Sequence, residues 1–419
     1  MNTSAPPTPT PTPTAFGLSE RLRTHMRHGF KGLHEQAATG APFAIAGPNN
    51  PHEILRAFDI PFMVDVWYSG LIAARQEASH YQDVLERHGY HRSLDTYGAH
   101  PLAVWLDNQP MESRPWGGFP NPSLIVANRT WPSSRESEIL AIVSGAQYFG
   151  LDLPAVTNPQ PDWWSMGKGR GEDFEGSDRV DAIEKQLWEL VHRCEKLTGR
   201  KLDQGRLAKI LERSDAQMDC LDDVREMIRS APKLAVPFRE VMALTLGLQW
   251  LRGTDFALAL AQEFRDDVAA RVRNEQWVCP NERQRLMYVG RGLWHQLGFF
   301  SSFEESHGAV FVRSNYLSWA VDGYRRLAPN PIRALAIRYS TFTQLLHLPP
   351  WAGEWAAWDA RKHRVDRAVQ IGEGFGERLI ARTLEREGIP VLRLEVDPLD
   401  AKSWDPDEVS RVVGRFLES

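Results

Sequence analysis

Apolar residues are arranged differently at the two ends of this chain and in its middle. Residues 43–46 form a continuous apolar run that stops at Gly47, Pro48, Asn49 and Asn50, with Pro51 where a helix can begin. Proline suits a first helical turn because its missing N–H would have no partner there. Residues 61–64 predict a second strand, followed by an amphipathic helix to about His88 with Gly89 as its stop. Residues 102–105 and 123–127 read as further strands. Continuous rather than alternating apolar runs suit a parallel sheet covered on both faces. Between about 177 and 271 the pattern turns helical: Val180, Ile183, Leu187, Leu190, Val191, Cys194 and Leu197 recur at helical spacing, with Ser177 as cap and Gly199 as stop. More helices follow, broken at Pro232, Pro237 and Gly253. From about Arg285 the alternation returns, with strand candidates at 286–290, 309–312, 334–337, 368–371 and 390–394.

This pattern predicts an α/β fold, with two flavodoxin- or Rossmann-like parallel-sheet domains joined by a helical segment. The expected boundaries are a disordered Pro/Thr tail over 1–14, an α/β domain over 15–175, the helical segment over 176–275 and a second α/β domain over 276–419. Open parallel sheets bind ligands beyond the carboxyl ends of their strands. Two sheets facing each other would therefore place a site in the cleft between them.

Composition narrows the function classes. At 419 residues the chain has room for two or three domains. The charge sum, 49 − 54 = −5, gives no basic excess for a nucleic-acid backbone. The sequence has no run of apolar residues long enough to cross a membrane, and its N-terminus lacks the regions of a secretory signal. Its three cysteines, Cys194, Cys220 and Cys279, form no CxxC pair and suit a reducing cytoplasm. Fifteen tryptophans imply aromatic-lined cores or pockets. Gly47 to Asn50 could cradle an anion or form an ordinary turn. The glycine runs at 167–171 and 371–376 lack nucleotide-loop spacing.

Three stretches carry a family resemblance: residues 387–397 followed by Asp400 and 411–418, residues 194–202, and Gly292, Leu293 and Trp294 with residues 314–319. On these the chain, over about 30–419, resembles the large-subunit family of 2-hydroxyacyl-CoA dehydratases and class I benzoyl-CoA reductases, the last stretch being closest to the reductase branch. The resemblance implies an acyl-CoA thioester ligand and one [4Fe–4S] cluster per subunit, held by three cysteine thiolates. The matching positions are Asp95, Trp131 and Leu317, none of them cysteine. Tryptophan and leucine offer iron no ligand. This chain is therefore expected to hold no cluster or metal itself, with Trp131 and Leu317 filling the space and the cluster carried only by a homologous partner subunit.

The candidate site follows from the strand ends and the resemblance together. Asp65, Arg129 and His295 are the catalytic candidates, and Trp67, Tyr68, Tyr97, Trp131, Trp294, Arg313 and Tyr316 the substrate-binding ones. A carboxylate among aromatic rings, as expected for Asp65, would have a raised pKa and could act as acid or base; the alternative is a helix cap. Arg129 could grip a thioester carbonyl or a carboxylate, or form a surface ion pair. His295 has a pKa suited to proton transfer, or is structural. Glu395 and Asp397 are expected to fix loops. Three functions stay open: a subunit contributing the acyl-CoA cleft to a heteromeric complex, a cluster-free acyl-CoA lyase or hydratase, and a non-catalytic binding protein.

Overall fold

A computed structural model describes residues 17–91, 96–130, 133–154, 177–319, 329–340, 351–373 and 376–419. The Pro/Thr tail, Asp95, Trp131 and residues 167–171 lie outside the described residues.

Helix α1 (Leu18–Ala38) leads into the first unit. There β1 (Ala44–Ala46), α2 (His52–Ala57), β2 (Phe62–Val64), α3 (Asp65–Ala74), α4 (Ala78–Arg87), α5 (Thr96–Leu106), β3 (Leu124–Asn128), α6 (Ser134–Ser144) and β4 (Gln147–Leu151) follow in turn. The strands make a four-stranded, all-parallel sheet in the order β2-β1-β3-β4. The helical segment comprises α7 (Ser177–Thr198), α8 (Gln204–Ser230), α9 (Phe238–Trp250) and α10 (Asp255–Arg273). Its breaks are local chemistry. Gly199 and Gly253 adopt φ of +68° and +81°, the left-handed conformation that ends helices and favours glycine. Asp203 and Thr254 then cap the next helices by accepting from the backbone N–H of Arg206 and Ala257.

The second unit holds β5 (Gln284–Gly290), α11 (Glu304–His307), β6 (Ala309–Ser314), α12 (Pro331–Ser340), α13 (Trp351–Lys362), β7 (Arg367–Ile371), α14 (Glu377–Arg386), β8 (Val391–Leu394) and α15 (Pro406–Glu418). Its sheet is again four-stranded and parallel, in the order β6-β5-β7-β8. The expected α/β class with two parallel sheets is what the chain forms.

Several elements differ from the sequence reading. Residues 102–105 lie in α5 and residues 334–337 in α12, not in strands. Residues 102–104 and 334–337 are all buried, and an apolar run buried all round looks alike as helix or strand. The helix expected up to His88 is two, α3 and α4, divided at Gln76 with φ +60°. Strand β4, with an exposed Gln147 and half-buried Tyr148 and Gly150, carried too little apolar signal to be noticed.

The cores cross the sequence order. Ile332, Leu335 and Tyr339 of α12 pack with Leu124, Val126 and Val180 over the first sheet, although α12 follows two strands of the second.

Candidate functional site

The ends of β5 and β6 present Trp294 and Tyr316 on the short helical turns that follow each strand, and the first turn of α5 presents Tyr97. These three meet across the two units. The Trp294 indole N–H donates to the Tyr97 hydroxyl at 2.9 Å, and the Tyr97 and Tyr316 hydroxyls share a hydrogen bond of 2.6 Å. The Trp294 and Tyr316 rings stand edge to face at 6.4 Å.

Two glycines make room for the indole. A Cβ on Gly292 would lie 2.2 Å from Trp294 Nε1, and one on Gly70 of α3 would lie 3.0 Å away. Tyr97 is held from behind, where Ser69 Oγ donates to its carbonyl. Burial pushes the Tyr97 hydroxyl well above the ordinary tyrosine range and Tyr316 to about 12. Both phenols therefore stay neutral at physiological pH; one O–H is engaged between them, which leaves the other to donate to a carbonyl or hydroxyl oxygen.

A second polar group sits where β1, β2 and β3 end. Asn49, Asn50, Asp65, Asn128, Ser133, Ser134 and Ser137 line a small space of about 20 Å³, room for a water molecule. Asp65 is the charged residue of this lining. It opens α3, and its Oδ1 accepts from the Val66 N–H at 2.6 Å. Asn50 donates to the Val126 carbonyl at 2.5 Å, whereas the buried Asn49 amide has no hydrogen-bond partner among the described residues. Gly98 lets α5 approach this corner, since a Cβ there would overlap the Ser133 side chain at 1.9 Å.

The loop before α2 is set from the helical segment. Arg252 is fully buried and bonds Glu53 at 2.8 Å, the Gln249 carbonyl at 3.0 Å, and the carbonyls of Pro48 and Asn50. Its Nη1 also lies 2.9 Å from His52 Nδ1, and His52 Nε2 lies 2.8 Å from the Gly47 carbonyl. Burial first, then the Arg252 charge, holds His52 well below the ordinary histidine range. A neutral ring that accepts from Arg252 and donates to Gly47 satisfies both contacts.

Other candidates have different surroundings. Tyr68 stacks on Phe30 in the core and donates to the Pro115 carbonyl at 2.9 Å. Arg313, expected to bind substrate, is instead buried in an ion network: its Nε donates to Asp359 at 2.5 Å, and Asp359 also faces Arg229 and His363. Arg129 runs along β4 to a solvent-exposed ion pair with Asp152 at 3.3 Å, which raises its pKa. His295 packs edge-on against Trp404, and burial lowers its pKa against the pull of Asp397 and Asp400. Asp65, Arg129 and His295 thus each have their own neighbours. Trp67 turns to a separate, larger cavity lined also by Phe30 and Trp250.

Residues 49–419 match the 2-hydroxyglutaryl-CoA dehydratase, D-component family. The chain belongs to that family. It is also 21% identical over 387 residues to the (R)-phenyllactyl-CoA dehydratase alpha subunit of Clostridium sporogenes, covering 85% of this chain and 84% of that one.

The residues described do not fit a three-thiolate cluster in this member of the dehydratase family. Leu317, at one matching position, is an aliphatic side chain buried in the core. Cys194 lies in the core over the first sheet, and Cys220 and Cys279 in the other. Burial raises the pKa of all three thiols, that of Cys194 to about 12. Among the described residues no group of three His, Cys, Asp or Glu side chains could hold a metal ion, and no helix is long and apolar enough to cross a membrane.

Sequence reasoning missed Asn128, Ser133 and Arg252. The usable signals were the glycines at 70, 98 and 292, whose missing side chains mark where another residue is seated.

Proposed function

We propose that this chain is the acyl-CoA-binding subunit of a heteromeric 2-hydroxyacyl-CoA dehydratase or benzoyl-CoA reductase-type complex. In this reading a homologous partner carries the [4Fe–4S] cluster, and the complex is cytoplasmic. Family membership and the relative's designation as an alpha subunit support a component role. The observation that carries the reading is the Tyr97–Trp294–Tyr316 contact, which joins hydroxyl groups from both units beyond the strand ends.

A 2-hydroxyacyl thioester offers a carbonyl and a hydroxyl. The neutral phenol pair keeps one O–H that is suited to donate to either oxygen, and such a donor counts for more where water is excluded. Asp65, beside Asn49 and Asn128, is the group able to hold or pass on a proton at the polar corner. One-electron chemistry needs a redox centre, and this chain lacks the thiolate set for one, so that part falls to the partner.

Calorimetric titration of the isolated chain with a 2-hydroxyacyl-CoA thioester tests the reading. Wild type should bind, and Tyr97→Phe should bind about tenfold more weakly, the loss of one hydrogen bond at a buried site. A chain that binds no thioester contradicts the proposal. A chain that dehydrates the thioester unaided would instead support the cluster-free lyase.

A further inference from the structure

We propose that a cavity separate from the strand-end site binds a phosphorylated ligand carrying a planar ring, of the nucleotide class. A CoA thioester itself ends in a phosphorylated adenosine, so this proposal differs from the acyl-CoA reading in the place of binding, away from Tyr97, Trp294 and Tyr316 and read out at Lys209. The cavity has a volume of about 610 Å³ and lies between α1, α2, β2, α8 and the α9–α10 turn. That is within the usual size of a small-molecule site.

One wall is aromatic. Phe30, Phe62, Trp67 and Trp250 line it, with Trp67 edge-on to Trp250 at 6.5 Å and tilted against Phe30 at 5.4 Å. Trp67 and Phe62 are only half-buried, so ring surface is left to contact a ligand. The part of the lining supplied by α8 is cationic. Arg206, Lys209 and Arg213 of α8 all line the cavity, and their i, i+3, i+7 spacing puts them on one helix face. Arg206 shares Asp59 with Arg200, and Arg213 meets Asp255 at 2.6 Å. Lys209 is exposed and has no ion-pair partner among the described residues.

Arg56 supplies a fourth cation from α2. Its guanidinium lies over the Phe62 ring at 4.9 Å and donates to the Trp250 carbonyl at 2.9 Å, while its Nε is buried without a partner. Burial, reinforced by the Arg252 charge and opposed by Glu53, lowers its pKa to about 10.

The lining cations Arg56, Arg206, Lys209 and Arg213 face the lining acids Asp59 and Asp255, so 4 − 2 leaves two positive charges. A dianion neutralises that excess, and guanidinium forks match phosphate oxygens. A planar base suits the indole wall, since stacking on aromatic side chains accepts any flat ring.

Titration of the full chain with ADP, adenosine and inorganic phosphate, followed by tryptophan fluorescence and calorimetry, tests this. ADP should bind in the micromolar range, with adenosine and phosphate at least about tenfold weaker. Lys209→Glu, at an exposed position that should leave the thermal melt unchanged, should weaken ADP about tenfold. The proposal is overturned if ADP fails to saturate at millimolar concentration, if phosphate alone binds as tightly, or if Lys209→Glu binds ADP like wild type.

Discussion

Arg252 directs its guanidinium at the loop before α2, where Asn50, His52 and Glu53 are buried with it. Removing one member of a buried ion pair leaves the other charge uncompensated. Arg252→Ala should therefore destabilise by about 3–5 kcal/mol, read from denaturant unfolding. A cost near zero would mean that the Glu53 carboxylate finds water. Glu304 gives a prediction with a definite sign. Burial raises its pKa from the ordinary carboxylate value to about 7. The folded chain thus keeps a proton that the unfolded chain has lost, so this group's contribution is fully present below the unfolded pKa and is lost as pH rises through about 7. Stability of wild type relative to Glu304→Gln should fall between about pH 4.5 and 7 and level off above. A difference that rises with pH would contradict this. At this scale, Trp294 and Tyr316 were legible because strand ends announce them. Arg313 and Arg252 were not, because their partners lie 46 and 199 residues away.

Helix α12 is the element whose sequence says least about its place. Its apolar run reads as a strand of the second sheet, yet Ile332, Leu335 and Tyr339 complete the cover of the first. Leu335 is fully buried there. Leu335→Ala should destabilise by about 2–5 kcal/mol through lost transfer energy and the cavity left behind. Hydrogen exchange should show the weakening in β3 and α7, which share that core, before β5 and β7. The reverse order would mean that α12 belongs with the second sheet. By contrast α7 was readable almost to the residue, from Ser177 to the left-handed Gly199, and the breaks at Pro232, Pro237 and Gly253 were readable too, because such stops are local devices. Strand β4 was not, since an edge strand needs few apolar residues to pair.

For the whole molecule, the two sheets and their strand-end loops set where ligands can go, and the family supplies the chemistry to expect. The departure from that expectation is as informative as the match. A hydroxyl-rich contact joins the units, while the thiols are buried in different cores. In the proposed complex the cluster therefore sits on a second chain. Anoxic affinity purification of this chain from its native host, with protein stoichiometry and iron counted in the same sample, tests it most directly. The expected result is an equimolar, homologous, cysteine-bearing partner, with the iron remaining on that partner when the chains are separated. A homomer, or a stoichiometric cluster on this chain alone, would contradict the account.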